Sequence, residues 1–472
     1  MPRSYTICCM TIQKNEDQIE RTLSLDCIEK VGQQVRLCGW VQVVRAHGKI
    51  AFIDLRDRSG VIQIGAFEGD LPQAFGKLGS QDVISIEGIV KERGERYVNK
   101  NLPTGTIEIE AKSLEVIQKS QEMPFDMTAR ELNLELPTLL DNRGLTLRHP
   151  KIAAIFKVQE VIIDAFREAL KEKGFTEFQS PVIIPQGAEG GAEMFEVNYF
   201  GNKAFLAQSP QFYKQIMVGV FERVFTVNKT LRAEPSITTR HLAEATTLDA
   251  EFGFIKSWTD VMDMADYVVR FVFDRVVHVC GFELSMYDAT IPSIESKIPR
   301  IKLREAQKII LERTGRDNTQ EPDLTPEDER EICRWSHEEK GSDLVFITHY
   351  PIEKRPFYTF EDPEDPGYTL SVDLLGRGVE WMTGGQRITD LEKLTISAEK
   401  RGIDLLKSEL YFQTFKYAMP PEGGFSFGSE RMTMHILGLS NIREASLFPR
   451  DMERVDERFS AAHEKKETTK GE

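Results

Sequence analysis

The sequence predicts an α+β chain, with a small N-terminal barrel of five strands ahead of a larger domain in which strands alternate with helices. Three observations carry that expectation. Between residues 19 and 117, the stretches VRLCGWVQVV, IAFIDLR, VIQIGAF, VISIEGIV and TIEIEA are strand-like and separated by turn signals such as Arg58-Ser59-Gly60. Five short strands in such a span suggest a small barrel, either an oligonucleotide-binding barrel or an SH3-like one, and periodicity does not choose between them. From Lys151, KIAAIFKVQEVIIDAFREALKEKGF places Ile155, Val158, Ile162, Phe166 and Leu170 on one face of a helix that Gly174 stops. Beyond it FLAQ, RVFTV, TLDAEFGFI and TLSVDLL alternate with helical stretches, as in a mixed sheet carrying helices.

At 472 residues the chain exceeds one ordinary core. The expected divisions are a tail over 1–18, the barrel over 19–117, a linker over 118–148 marked by Pro124, Pro137 and RELNLELP, the larger domain over 149–456, and a charged tail over 457–472. Hydrophobic content of 40% with 29% charged residues is that of a globular protein. No apolar run approaches the roughly 20 residues of a membrane span, which excludes a helical membrane protein. The N-terminal stretch lacks an h-region with a small-residue cleavage site, so the expected location is the cytoplasm. Six cysteines, Cys8, Cys9, Cys27, Cys38, Cys280 and Cys333, form no CxxC pair and have no histidine at metal-ligand spacing. A net charge of -15 counts mildly against a nucleic-acid partner, although local basic faces are compatible with it.

The chemistry-bearing residues cluster in two stretches. Leu231-Arg232-Ala233-Glu234, Thr239-Arg240-His241-Leu242 and Leu248-Asp249-Ala250-Glu251 read as two strands joined by a polar loop, with Arg232 and Glu234 on one face. Alone, that pair would be a salt-bridged sheet surface. GGFSFGSERMTMHILGL is a glycine-rich strand entering a helix whose first turn holds Arg431, and helix N-termini with an added arginine favour phosphate.

Together these stretches resemble the class II aminoacyl-tRNA synthetases over about residues 20–450. The amphipathic helix with the strand up to Pro181 resembles motif 1, LRAE...TTRHL motif 2, and GGFSFGSER motif 3. The resemblance implies a seven-stranded antiparallel catalytic sheet flanked by helices, a homodimer, and an oligonucleotide-binding barrel that reads the anticodon. It implies that Arg232 holds the ATP α-phosphate, Glu234 the adenine amino group, and His241 and Arg431 the terminal phosphates, with Glu380 and Thr383 ligating Mg2+ in the hard-oxygen set that ion prefers. Charge builds on the α-phosphate as a carboxylate attacks it, so loss of Arg232 is expected to cost about 3 kcal/mol or more of barrier.

The amino-acid pocket resembles the aspartyl branch, of the archaeal and eukaryotic type, in two places: Gln208-Ser209-Pro210-Gln211-Phe212-Tyr213-Lys214-Gln215, and Gly384-Gly385-Gln386-Arg387. Asparaginyl relatives lack that lysine and carry an inserted residue and a glutamate after the glutamine. The implied aspartate-binding residues are Glu189, Ser209, Gln211, Lys214, Asp249 and Arg387. Lys214 and Arg387 compensate the β-carboxylate, Asp249 takes the ammonium, and Glu189 closes over the substrate from the AEGGAEMF loop. In the barrel Arg45, Phe52, Gln63 and Glu108 fall on the family's anticodon positions, although periodicity alone would place Phe52 in the core.

The expected reaction is ATP-dependent ligation of L-aspartate to tRNA(Asp) through an aspartyl-adenylate. Charging of tRNA(Asn) would depend on contacts near Gln42 and the loop after Val90. The alternatives are an asparaginyl enzyme and a non-catalytic binding protein built on a synthetase. Departures from the family pattern are Leu231 for Phe, Thr383 for Ser, Glu422 for His, Ser426 for Gly, and Ala245 where some relatives place an aromatic residue against adenine.

Overall fold

The computed structural model describes residues 19–188, 194–233 and 237–459. They fall into two compact units that divide between Asn133 and Leu134. In the first, β1 (Gln34–His47), β2 (Ile50–Arg56), β3 (Val61–Ala66), β4 (Val83–Glu92) and β5 (Ile107–Gln118) close into a barrel in the order β1-β2-β3-β5-β4. Neighbours are antiparallel except β3 and β5, which run parallel at Ile64↔Ile109. Strand alternation sends Leu37, Ile53, Leu55, Ile62, Ile64, Ile84 and Ile109 into a dry interior. Arg45, Phe52, Asp54, Gln63 and Glu108 are partly exposed. Phe52 therefore sits between the buried Ala51 and Ile53, on the outer face rather than in the core.

The second unit is built on α1 (Pro150–Glu172), α2 (Gln211–Phe221), α3 (Thr259–Val279), α4 (Pro326–Lys340) and α5 (Ser429–Leu437) around two sheets. A small sheet joins β7 (Ile183–Ile184), β9 (Asn202–Leu206) and β8 (Glu196–Tyr199). The large one contains β6 (Thr176–Glu177), β10 (Arg223–Leu231), β11 (Glu244–Gly253), β12 (Arg300–Lys302), β13 (Leu344–Thr348), β14 (Ser371–Gly376), β15 (Val379–Gln386) and β16 (Glu422–Gly428). Its order is β12-β13-β14-β15-β16-β11-β10-β6, so it has eight strands where the resemblance implied seven. The run from β13 to β10 is antiparallel, and only the outer pairs β12/β13 and β6/β10 are parallel. Each parallel pair is joined by a connection containing helices, the crossover that parallel neighbours require.

Ile155, Val158, Ile162 and Phe166 of α1 and Val268 and Val272 of α3 pack over Phe225, Leu248, Phe425 and Trp381 of the large sheet. Gly174, at φ +78°, turns the chain from α1 into β6 in a conformation that disfavours other residues. Within the span expected as a linker, β5 continues to Gln118, and Arg143 is buried in the second unit. Its guanidinium donates there to the carbonyls of Glu444, Ser446 and Leu447 at 3.0, 2.6 and 2.8 Å. Among the described residues no helix is long and apolar enough to cross a membrane.

Candidate active site and nucleic-acid face

The central strands of the large sheet floor a cavity of about 570 Å³. Ser209, Gln211, Lys214, Arg232, Asp249, Glu380, Thr383 and Arg387 all line it, so eight of the residues singled out from the sequence meet in one place. Ser209 and Gln211 enter from the start of α2, Arg232 from the end of β10, Asp249 from β11, and Glu380 and Thr383 from β15. Arg431, in the first turn of α5, stands behind Glu380, donating to its carbonyl at 2.7 Å and lying 3.6 Å from its carboxylate. His241 does not line the cavity; its ring Nδ1 bonds the Thr238 hydroxyl at 2.7 Å on an exposed loop. Glu189 and Glu234 lie outside the described residues.

At one end of the cavity two cations and two carboxylates alternate. Lys214 Nζ lies 3.1 Å from Asp249 and 3.2 Å from Glu251. Arg387 Nε and Nη2 donate to the two oxygens of Glu251 at 2.7 and 3.2 Å, and Nη2 also donates to the Gly424 carbonyl at 3.0 Å. All four side chains are nearly inaccessible, so each charge needs its partner. Burial alone would lower the Arg387 pKa, but the Glu251 carboxylate outweighs it and holds the guanidinium charged. Asp249 Oδ2 has no hydrogen-bond partner, a vacant acceptor in a residue that lines the cavity.

Glycine at 424 is required by this cluster. A Cβ there would lie 2.2 Å from Glu251 Oε2 and 2.2 Å from the Ala250 carbonyl oxygen. Glu251 was not singled out in the sequence, yet its place two residues after Asp249 on β11 puts it on the same sheet face. Behind the cluster, Gln211 donates to Gln215 at 2.9 Å and Gln215 donates to Glu422 at 2.8 Å. Burial, then the neighbouring Glu251, pushes the Glu422 carboxyl well up towards its neutral form. The departure from histidine keeps a hydrogen-bonding group at this position.

At the other end stand four groups, Arg355, Asp373, Glu380 and Thr383, of which the sequence pointed to the last two. Arg355 donates to Asp373 at 2.6 Å and to the Thr383 hydroxyl at 3.2 Å, and its guanidinium lies 3.8 Å from the Tyr350 ring centre. Burial, then Asp373, raises the Glu380 pKa, and Asp373 Oδ1 is buried without a partner. Two neighbouring carboxylates, one of them with an unpartnered oxygen, fit a hard cation, and the Thr383 oxygen keeps a second lone pair for it. Among the described residues no three acidic, histidine or cysteine side chains are placed to hold a metal by themselves. A divalent ion here would complete its shell from a phosphate ligand or water. Arg355 and Asp373 lacked a signal in the sequence beyond their polarity within RPFY and SVDLL.

Residues 135–452 match the family described as tRNA synthetases class II (D, K and N). The chain belongs to that family. Residues 35–117 match the OB-fold nucleic acid binding domain, which decides between the two barrels left open by periodicity. Among curated relatives, the Aspartate--tRNA(Asp/Asn) ligase of Thermus thermophilus is 41% identical, covering 92% of this chain and 99% of that protein. The Aspartate--tRNA(Asp) ligase of Pyrococcus abyssi is 38% identical, covering 90% and 96%. Among solved structures, asparaginyl-tRNA synthetase from Pyrococcus horikoshii with asparaginyl-adenylate has TM-score 0.82 at 31% identity, covering 93% of this chain and 100% of that one. A putative aspartyl-tRNA synthetase from Leishmania major has TM-score 0.82 at 29% identity, covering 94% and 96%.

In the barrel of this synthetase the four residues expected at the anticodon are close neighbours. Arg45 donates to both oxygens of Asp54 at 2.8 and 2.6 Å and reaches Gln63 Oε1 at 3.4 Å. Gln63 Nε2 donates to Glu108 Oε2 at 2.9 Å. Phe52 meets the exposed Phe67 edge-on with ring centres 5.7 Å apart. Asp54, Phe67 and Arg93, which also bonds Gln63, were not singled out in the sequence.

Proposed function

We propose that the chain activates L-aspartate with ATP and transfers it to tRNA(Asp), and to tRNA(Asn) as well. The observation that supports this best is the pairing of two cations, Lys214 and Arg387, on one carboxylate, Glu251, at the closed end of the cavity that Arg232 also lines. Such a site presents N–H donors and positive charge to a side-chain carboxylate. A carboxamide oxygen would replace charge-assisted bonds from these donors with weaker neutral ones, and its NH2 would face them as a donor. Asp249 Oδ2 accepts from the substrate ammonium, and Ser209 and Gln211 orient the backbone of the amino acid.

The α-carboxylate then attacks the α-phosphorus, expelling pyrophosphate and leaving aspartyl-adenylate. Arg232 faces the α-phosphate, where charge grows in the transition state, and Arg431 and His241 take the terminal phosphates. Glu234 and Glu189 keep the adenine and loop-closing roles that the resemblance implies. Glu380 and Thr383, with Asp373 beside them, would hold Mg2+, which would supply charge neutralisation on the phosphates. In the second step the terminal ribose hydroxyl of the tRNA attacks the activated carbonyl and releases AMP. No protein nucleophile is needed, and catalysis rests on orientation and fixed charge.

The barrel binds the anticodon through Arg45, Phe52, Gln63 and Glu108. The protein acts as a homodimer joined through the motif 1 helix, α1, in the cytoplasm. Relatives at similar identity carry names of both tRNA ranges. Aspartylation assays on tRNA(Asp) and tRNA(Asn) transcripts in parallel test the reading. Charging of both is expected; charging of the first alone removes the wider range, and charging of neither overturns the function.

A further inference from the structure

We propose that Arg93 is a positioning residue for nucleic-acid recognition, fixing the amide of Gln63 so that the barrel face offers one N–H beside a carboxylate oxygen of Glu108. This rests on the anticodon reading of the barrel given above and names a residue that reading did not include. Arg93 follows β4 and its side chain is only 9% exposed. Its Nη2 donates to Gln63 Oε1 at 2.7 Å, the oxygen that Arg45 Nη2 also reaches at 3.4 Å. Gln63 Nε2 donates to Glu108 Oε2 at 2.9 Å.

A glutamine amide has two acceptor lone pairs and two N–H groups. Here both lone pairs face guanidinium groups and one N–H faces a carboxylate, which leaves one N–H open. Reversing the amide would set its NH2 against two cations and its oxygen against an anion, so both ends oppose reversal. The two arginines differ in what else they hold. Arg45 is neutralised by two bonds to Asp54, whereas the carboxylate nearest Arg93 is Glu108 at 3.9 Å. Arg93 Nε is buried without a hydrogen-bond partner. A nearly buried cation with an unspent donor is costly unless it serves its neighbours, and what it holds in place is the Gln63 carbonyl.

The ligand chemistry follows from the groups left open. Beside the Phe52–Phe67 pair, on which an unstacked base can lie, stand one donor and one acceptor in fixed order. Uracil and cytosine present the same two edge positions with donor and acceptor exchanged. An amide locked in one sense matches one of them and opposes the other. Arg93 thereby sets discrimination between the two pyrimidines at one anticodon position.

The test is aminoacylation kinetics of the full-length protein on a cognate tRNA transcript and on transcripts with single U-to-C or C-to-U exchanges in the anticodon. Wild type, Arg93→Gln, Arg93→Lys, Gln63→Ala and Phe52→Ala are compared, with thermal melts as a check on folding. At the recognised position, Arg93→Gln is expected to narrow the cognate-to-exchanged ratio of kcat/KM by at least about tenfold, the scale of one charge-assisted hydrogen bond. The loss should fall mainly on KM for tRNA, with Arg93→Lys recovering part of the ratio. An unchanged ratio in folded Arg93→Gln, with a collapsed ratio in Gln63→Ala, overturns the lock and leaves the anticodon reading standing. If Arg93→Gln does not fold, the lysine variant decides: a ratio equal to wild type overturns the proposal, and an intermediate one supports it. If Gln63→Ala and Phe52→Ala both behave as wild type, the anticodon reading fails, and the proposal with it.

Discussion

Lys214, Asp249, Glu251 and Arg387 form a closed set in which two positive and two negative groups are buried together. Removing one member strands a charge, which typically costs about 3–5 kcal/mol. Lys214→Met is therefore expected to lower thermal stability in a melt and to abolish aspartate-dependent exchange. Arg232, which lines the cavity at the phosphate end, is expected to behave differently. Arg232→Ala should leave the melt within a few degrees of wild type and cut ATP–pyrophosphate exchange by about 100-fold or more, corresponding to about 3 kcal/mol of barrier. At this scale Lys214, Asp249 and Arg387 were legible because they fall within motif-like stretches. The part played by Glu251 was not, and Glu422 was marked only as a departure from the family pattern, since their importance lies in contacts between segments distant in sequence. Arg387 meets Glu251 from 136 residues away, and Gln215 meets Glu422 from 207.

The strands and helices that carry these residues were mostly legible, because the barrel strands alternate, β10, β11 and β14 are short strand-like runs between helical stretches, and α1 repeats at helical spacing. The edge strands β6 and β12, two and three residues long, are too short to show a period, and tertiary pairing alone makes them strands. Packing between elements yields a sharp prediction at Gly424, which stands opposite Glu251 where β16 pairs with β11. Gly424→Ala would push a methyl into the Glu251 carboxylate and the Ala250 carbonyl oxygen. It is expected to destabilise the fold by about 1–3 kcal/mol and to weaken aspartate binding, as read by a melt and by KM for aspartate.

A second link joins α4 to the loop after β10, where Arg240 lies 3.0 Å from Glu329. Burial, with Glu380 adding to it, pushes the Glu329 carboxyl up to about 7 despite Arg240. A carboxyl whose folded-state pKa is raised binds its proton more tightly folded than unfolded. Its contribution to stability is complete below about pH 4.5 and is lost as pH rises through about 7. Glu329→Gln should flatten the fall in melting temperature across that window, removing at most about 3 kcal/mol of pH dependence.

At the level of the whole molecule, a chain with net charge -15 is expected to bind a polyanion through local faces such as the arginines of the barrel. Raising salt from about 50 to 200 mM should therefore raise KM for tRNA, while KM for aspartate, set by buried ion pairs, changes little. The two-unit plan was legible from composition and strand spacing. The identity of the barrel came from the motif resemblance instead, because alternation fixes a strand count but no topology; the parallel contact of β3 with β5 comes from the fold.

The measurement that bears most directly on the paired cations of the pocket is ATP–pyrophosphate exchange by the wild-type protein with aspartate and asparagine in parallel. Aspartate is expected to win in kcat/KM by at least about 100-fold, as a site built for a charged group rejects its neutral isostere. Exchange with asparagine equal to or faster than with aspartate would contradict the assignment of Lys214 and Arg387 to a side-chain carboxylate.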